Sequence, residues 1–117
     1  MKTHKDLDVW KDSIKLVVEI YKTTTAFPKH ELYGLTSQIR RAVVSIPANI
    51  SEGAAKNSPS DFIRYLRIAQ GSLSEFETLL EIAFQINYLK EDSYKTNLGK
   101  IFKINAQLSG LIKSINR

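Results

Sequence analysis

Two histidines, His4 and His30, are all the imidazole chemistry this sequence offers, and they stand apart from each other. A ferritin-like di-metal bundle needs Glu-x-x-His pairs projecting from facing helices, and no such pair occurs. There is also no His-Glu-x-x-His, Walker A or dinucleotide-type glycine pattern. Bundle ribonucleases in which a histidine follows an arginine within a few residues are disfavoured, because no histidine follows any arginine here. The absence of cysteine removes thiolate nucleophiles, disulfides and Cys-based zinc sites together. Among the carboxylates, Glu75, Glu77 and Glu81 fall close together, but only Glu77 and Glu81 share a helical face, a spacing that serves solvation and charge pairing. These residues predict a protein that is not an enzyme and carries no cofactor or metal.

The chemistry that remains is cationic. The sequence has 17 Lys+Arg against 12 Asp+Glu, a formal charge of +5. From Ser93 onward it contains Lys95, Lys100, Lys103, Lys113 and Arg117 and no acid. One reading is a solvated lysine face whose cations favour a helix C-terminus. The other is a phosphate-binding track, multiplied by symmetry if the chain assembles. Aromatic residues outside expected core positions are scarce, so the sequence favours contact with the phosphate backbone over stacking on unpaired bases.

Four helices must position these groups. A first segment, from about Asp8 to Thr24, carries Trp10, Ile14, Val17 and Tyr21 at helical spacing. Phe27, Pro28, Tyr33 and Gly34 mark a connection. Leu35, Ile39, Val43, Ile46 and Ile50 then repeat the rhythm, and Gly53 stands where a left-handed residue commonly ends a helix. Pro47 cannot donate to the Val43 carbonyl, so this second helix must bend or break, and the apolar spacing across Pro47 favours a continuous, kinked helix. Ser58, Pro59 and Asp61 form a strong helix start. Phe62, Leu66, Ala69, Leu73, Phe76, Leu80 and Ala83 follow in heptad order. A fourth helix after Lys90–Ser93 shows Tyr94, Leu98, Ile101, Leu108, Ile112 and Ile115, with Asn105 at the missing core position, either bonded locally near the rim or fixing register. No stretch alternates as a half-buried strand would. The expected fold is all-α, an up-down-up-down antiparallel four-helix bundle formed by one domain over residues 1–117.

The third helix carries more apolar surface than one bundle uses. Ile68, Leu79, Ile82 and Ile86 gather on an arc beside its main stripe, and Val9, Leu16 and Ile20 do the same on the first helix. This predicts a homo-oligomer, with Ile68, Leu79, Ile82 and Ile86 at the subunit interface. On the second helix Gln38, Arg41, Ser45, Ala48, Asn49 and Glu52 form a polar, mostly small flank. That flank is either ion-paired with Glu75 and Arg64 or a place where another subunit or a ligand approaches closely.

The blocks Tyr33-Gly34-Leu35-Thr36-Ser37-Gln38-Ile39-Arg40-Arg41-Ala42, Ser45-Ile46-Pro47-Ala48-Asn49-Ile50-Ser51-Glu52-Gly53, Phe62-Ile63-Arg64-Tyr65-Leu66 and Ile68-Ala69-Gln70-Gly71-Ser72-Leu73-Ser74-Glu75 carry a resemblance. So do Asp8-Val9-Trp10 and Phe27-Pro28, and the likeness covers nearly the whole chain. The sequence resembles the bacterial four-helix-bundle proteins encoded within intervening sequences of 23S rRNA genes, a family to which the accessory protein of diversity-generating retroelements looks related. The resemblance implies an antiparallel bundle assembled into a ring, a pentamer, without established catalytic activity. For the retroelement relative it implies a basic surface that binds nucleic acid and a reverse transcriptase, with Arg40, Arg41 and Arg64 as the matching positions here.

Composition bounds the remaining possibilities. With 43% hydrophobic residues, five glycines and three prolines, the chain is globular. Its first eight residues carry charges where a signal peptide needs an apolar stretch, and no apolar run exceeds four residues, so a cytoplasmic protein without a membrane role is expected. The nucleic-acid reading places RNA or DNA on Arg40, Arg41, Arg64, Lys95, Lys100 and Lys103. The competing reading is a protein-interaction scaffold with no direct nucleic-acid contact.

Overall fold

A computed structural model describes residues 3–117. A 3-10 turn, His4–Asp6, leads into α1 (Asp8–Thr24). A second 3-10 turn, Lys29–Glu31, precedes α2 (Leu35–Ala54), and α3 (Pro59–Gln85) and α4 (Glu91–Ile115) complete the chain. The described residues include no strand. Local chemistry sets the boundaries. The Ser58 hydroxyl accepts the Asp61 amide at 3.3 Å while Pro59 supplies a residue with no N–H to satisfy, so α3 starts where its cap dictates. It ends at Asn87, whose φ of 68° lies in the left-handed region that asparagine tolerates, and the Tyr88 amide returns to the Ala83 carbonyl at 2.9 Å.

Cross-helix pairs give the topology. Ser45 meets Ser72 at 2.8 Å in the middle of the α2–α3 seam, and Gly53 packs on Phe62 and Tyr65 at its end. Glu81 meets Tyr94, and further back along α3 Gln70 donates to Asn105 and Ser109 farther along α4. Each helix therefore runs against its predecessor. α1 closes the bundle on α4, while the α2 and α4 backbones lie diagonally and do not approach each other closely. The α2–α3 seam is the most extensive and the α1–α4 seam the sparsest. Leu16 and Ile20, Ile39, Val43, Ile46 and Ile50, Leu66, Leu73, Phe76 and Leu80, and Ile104 and Leu108 fill one core contributed by all four helices.

The stripes of α2 and α3 stand as the spacing predicts, and α2 passes unbroken through a buried Pro47. Four details depart from the sequence reading. α1 is turned about its axis: Val9, Ser13, Leu16, Ile20 and Thr24 are buried, whereas Ile14 and Tyr21 are exposed. Ser13 and Thr24 tolerate the core because their hydroxyls donate to the carbonyls of Trp10, at 2.8 Å, and Ile20, at 2.6 Å. On α4, Ile104 takes the core position and Asn105 stays exposed at the rim against Gln70. The buried amide is Asn97, which donates to the Ser93 carbonyl at 2.8 Å. Gly53 is not a left-handed terminator, for α2 continues to Ala54 and no glycine has positive φ among the described residues. Leu79, expected at a subunit interface, is 8% exposed and belongs to the protomer's own core, because the α2 side of α3 is covered by α2.

A carboxylate clamp holds the α1–α2 connection. Glu31 accepts from the Leu35 amide at 3.2 Å and from the Tyr88 hydroxyl at 2.9 Å, while Tyr88 packs on Phe27. These donors, the Leu35 amide first, hold the Glu31 carboxyl below its ordinary value of 4.5. A depressed pKa gives stability that is present above the unfolded value and lost as pH falls through the folded one. Glu31→Gln is therefore expected to lower Tm at neutral pH, with a gap to wild type that closes at acid pH, below the depressed folded value. Thermal melts followed by circular dichroism at both pH values check this, and an unchanged gap at acid pH would contradict the clamp.

Candidate nucleic-acid interface

The predicted cations do not form one track, because the bundle distributes them over separate faces. Lys100 and Lys103 of α4 face α1 across a groove of about 520 Å³ that also contains Asp12, Lys15 and Glu19, above Ile14, Leu16, Val18 and Ile104. Lys103 is engaged there with Asp12 at 3.3 Å, and Gln107 donates to the same carboxylate at 2.9 Å. These interactions, the Gln107 amide first, hold the Asp12 carboxyl below its ordinary value. Lys15 and Lys100 make no ion pair among the described residues, so their charges remain open to solvent. Lys95 reaches Glu91 at 3.5 Å, one turn away, because α4 begins before the acid-free stretch does.

Arg40 and Arg41 lie on the far side of α1, in a hollow of about 430 Å³ shared with Tyr21, Leu32, Tyr33, Ser37 and Val44. Arg40 is held: its Nε donates to Thr24 Oγ1 at 2.9 Å, its Nη2 to the Tyr21 carbonyl at 3.4 Å, and its guanidinium sits 4.6 Å from the Tyr21 ring centre. Arg41 makes no ion pair among the described residues. Arg64 of α3 lies 3.7 Å from Asp61 and stacks at 4.6 Å on Tyr65, over whose ring Lys56 also sits, at 5.6 Å. The pairing of Arg41 and Glu52 with Glu75 and Arg64 is not formed among the described residues. Ser45, Asn49 and Ser72 instead tie that flank together, with the Asn49 amide donating to both the carbonyl and hydroxyl oxygens of Ser45.

The sequence reading missed three features. Lys15 joins the α4 cations once α1 is correctly rotated. Arg67 of α3 and Lys113 of α4 share a shallow hollow with Gln70, Ser109 and Asn116 and no acid. Two rings are solvent-facing, Tyr33 at 94% and Phe102 at 79% exposed, whereas the exposed Ile68, Ile82 and Ile86 lie on the arc of α3 that the sequence singles out. A helical-wheel placement of Lys113 opposite Arg67 could have found the second feature, whereas Tyr33 sits in a loop that periodicity does not describe. No cluster of three or more His, Asp or Glu side chains suited to a metal occurs among the described residues, and no helix of the described residues is long and apolar enough to cross a membrane.

An antiparallel bundle of four helices with separated cationic grooves defines a class of helical protein rather than a reaction. The chain belongs to the 23S rRNA-intervening sequence protein family, whose pattern it matches over residues 5–110. Its fold is similar to the crystal structure of a protein of unknown function from the S23 ribosomal protein family of Bacteroides thetaiotaomicron. The TM-score is 0.80 at 30% sequence identity, covering 90% of this chain and 98% of that one. No curated protein matches it.

Proposed function

We propose that this protein is a non-enzymatic, self-associating accessory or scaffold factor that binds RNA or DNA through phosphate contacts. The observation that carries the reading is the α1–α4 groove, where Lys15 of α1 and Lys100 of α4 make no ion pair among the described residues and α4 has no acid after Asp92. Such cations attract phosphate without reading bases. One chain offers few of them, so a ring would supply the number of phosphate contacts that useful affinity requires. The exposed isoleucines of α3 give that assembly an apolar face to use. A ring with five subunits, a bacterial cytoplasmic setting and a reverse transcriptase or other protein partner complete the proposal on the strength of the family resemblance. A pure protein scaffold is the alternative.

The test is a titration of labelled RNA and duplex DNA at several salt concentrations. Six to ten phosphate contacts cost about 10³ to 10⁵ in affinity between roughly 50 and 200 mM salt. Lys15→Ala with Lys100→Ala spares the Lys103–Asp12 bridge and is expected to reduce the duplex salt slope by about 0.9 for each phosphate no longer neutralised. Absence of low-salt binding by wild type would leave the scaffold reading in its place.

A further inference from the structure

The hollow between α1 and α2 differs in kind from the lysine grooves. Among its seven lining residues are two arginines and two tyrosines, with no carboxylate. Tyr33 presents nearly its whole ring to solvent. Tyr21 is already stacked under the Arg40 guanidinium, so the wall opposite is a rigid cation-on-ring platform, fixed by the bonds of Arg40 to Thr24 and the Tyr21 carbonyl. Arg41 stands at the rim without an ion pair among the described residues. The nearest acid of the connection, Glu31, is turned away onto the Leu35 amide and Tyr88. Beyond Arg40 and Leu32 a second hollow continues over Thr25, Phe27, Pro28 and Lys29, lined also by Thr36, whose buried hydroxyl has no hydrogen-bond partner among the described residues.

Aromatic faces beside unpaired guanidinium groups are the chemistry of an unpaired strand: rings stack on bases, and cations follow the backbone. A duplex hides its base faces and could use only the arginines. We propose that the Tyr21–Tyr33–Arg41 hollow is a single-strand site, in which a splayed base stacks on Tyr33 and its phosphate is held by Arg41. This deepens the phosphate-binding reading and rests on it. Tyr33 and Tyr21 are surface residues, so aromatic faces outside the core are less scarce than the helical spacing suggests.

The experiment compares Tyr33→Ala, Tyr33→Phe and Arg41→Ala with wild type, using short oligoadenylate RNA, the same sequence as single-stranded DNA, and a duplex of equal length. Binding is followed by fluorescence anisotropy and subunit number by light scattering. Tyr33→Ala is expected to weaken single-strand binding by about 5- to 100-fold while duplex binding is unchanged, and Tyr33→Phe to retain it. Arg41→Ala is expected to lower the single-strand salt slope by about 0.7. Equal weakening on the RNA and DNA strands assigns the site to base and phosphate, and weakening on RNA alone adds the ribose hydroxyl; both support the site. Undiminished single-strand binding by Tyr33→Ala, with the lysine variant still impaired on duplex, overturns this site and leaves the general reading intact. A change of mass in Tyr33→Ala makes the hollow a subunit contact and overturns it too. Failure of wild type on every nucleic acid overturns both.

Discussion

Replacing Ile82 by glutamate is expected to leave each chain folded and to dissolve the proposed assembly. Ile82 is 44% exposed in the protomer and aligns with Ile68 and Ile86 along the outer side of α3, so a carboxylate there meets solvent in the free chain. Covered by a second subunit, the same carboxylate would be buried without a partner, a penalty of about 3–5 kcal/mol by the measure of broken buried ion pairs. Light scattering should then report protomer mass where wild type reports a multiple, with no loss in Tm beyond that due to assembly. Nucleic-acid affinity should fall with it, because joining several weak sites raises avidity by about 10² to 10⁴. A wild-type protomer mass across micromolar concentrations would remove the assembly altogether, and an unchanged multiple in Ile82→Glu would move the interface to another face.

The second large effect concerns glycine and carries opposite signs at two positions. A Cβ on Gly53 would lie 2.6 Å from the Tyr65 Cβ and 3.2 Å from the Phe62 Cδ1, atoms fixed near the α3 backbone rather than at the end of a flexible chain. α2 and α3 must separate to admit it. Overpacking of this kind costs about 1–3 kcal/mol, more than the roughly 1 kcal/mol that alanine gains over glycine inside a helix. Gly53→Ala should therefore destabilise by about 1–2 kcal/mol in urea or heat. Gly110, exposed on α4 with nothing within 4 Å of its notional Cβ, should show the propensity gain alone. Gly110→Ala is expected to stabilise by about 0.5–1 kcal/mol. If both substitutions stabilise, the α2–α3 packing at Gly53 is looser than described.

Much of this arrangement was legible before any coordinates. Ser58, Pro59 and Asp61 state a helix start in local chemistry, and α3 carries its core stripe without ambiguity from Phe62 to Ala83. What the spacing left undetermined was rotation. α1 is apolar on two adjacent arcs, and the arc that wins includes Ser13 and Thr24, whose self-satisfied hydroxyls no count of apolar residues detects. The same limit hid Lys15, because a one-position turn of α1 decides whether it faces α4. The cations were legible as a charge excess but not as groups: Asp12, Lys103 and Gln107 are distant in sequence, and only closure of the bundle shows that Lys103 is already engaged. Tyr33 escaped because exposure within an irregular connection leaves no periodic trace in the sequence.

The sparse α1–α4 seam bears on the order in which the molecule comes apart. α2 and α3 are joined by a four-residue connection and share the broadest packing, so they form a hairpin with little loop-closure entropy. Besides their shared core, α1 and α4 are joined by polar contacts at Asp12, from one lysine and one amide. Local opening should begin at the weakest seam, which α1 and α4 share, and should leave the α2–α3 pair as the more persistent unit. A polyanion laid along Lys15, Lys100 and Lys103 touches both sides of that seam and has an intact site only when α1 is docked. Occupancy and closure are then thermodynamically linked: each tenfold excess of ligand over its dissociation constant adds about 1.4 kcal/mol against opening. Under the proposed function, such a groove is a ligand-dependent latch between the first and fourth helices.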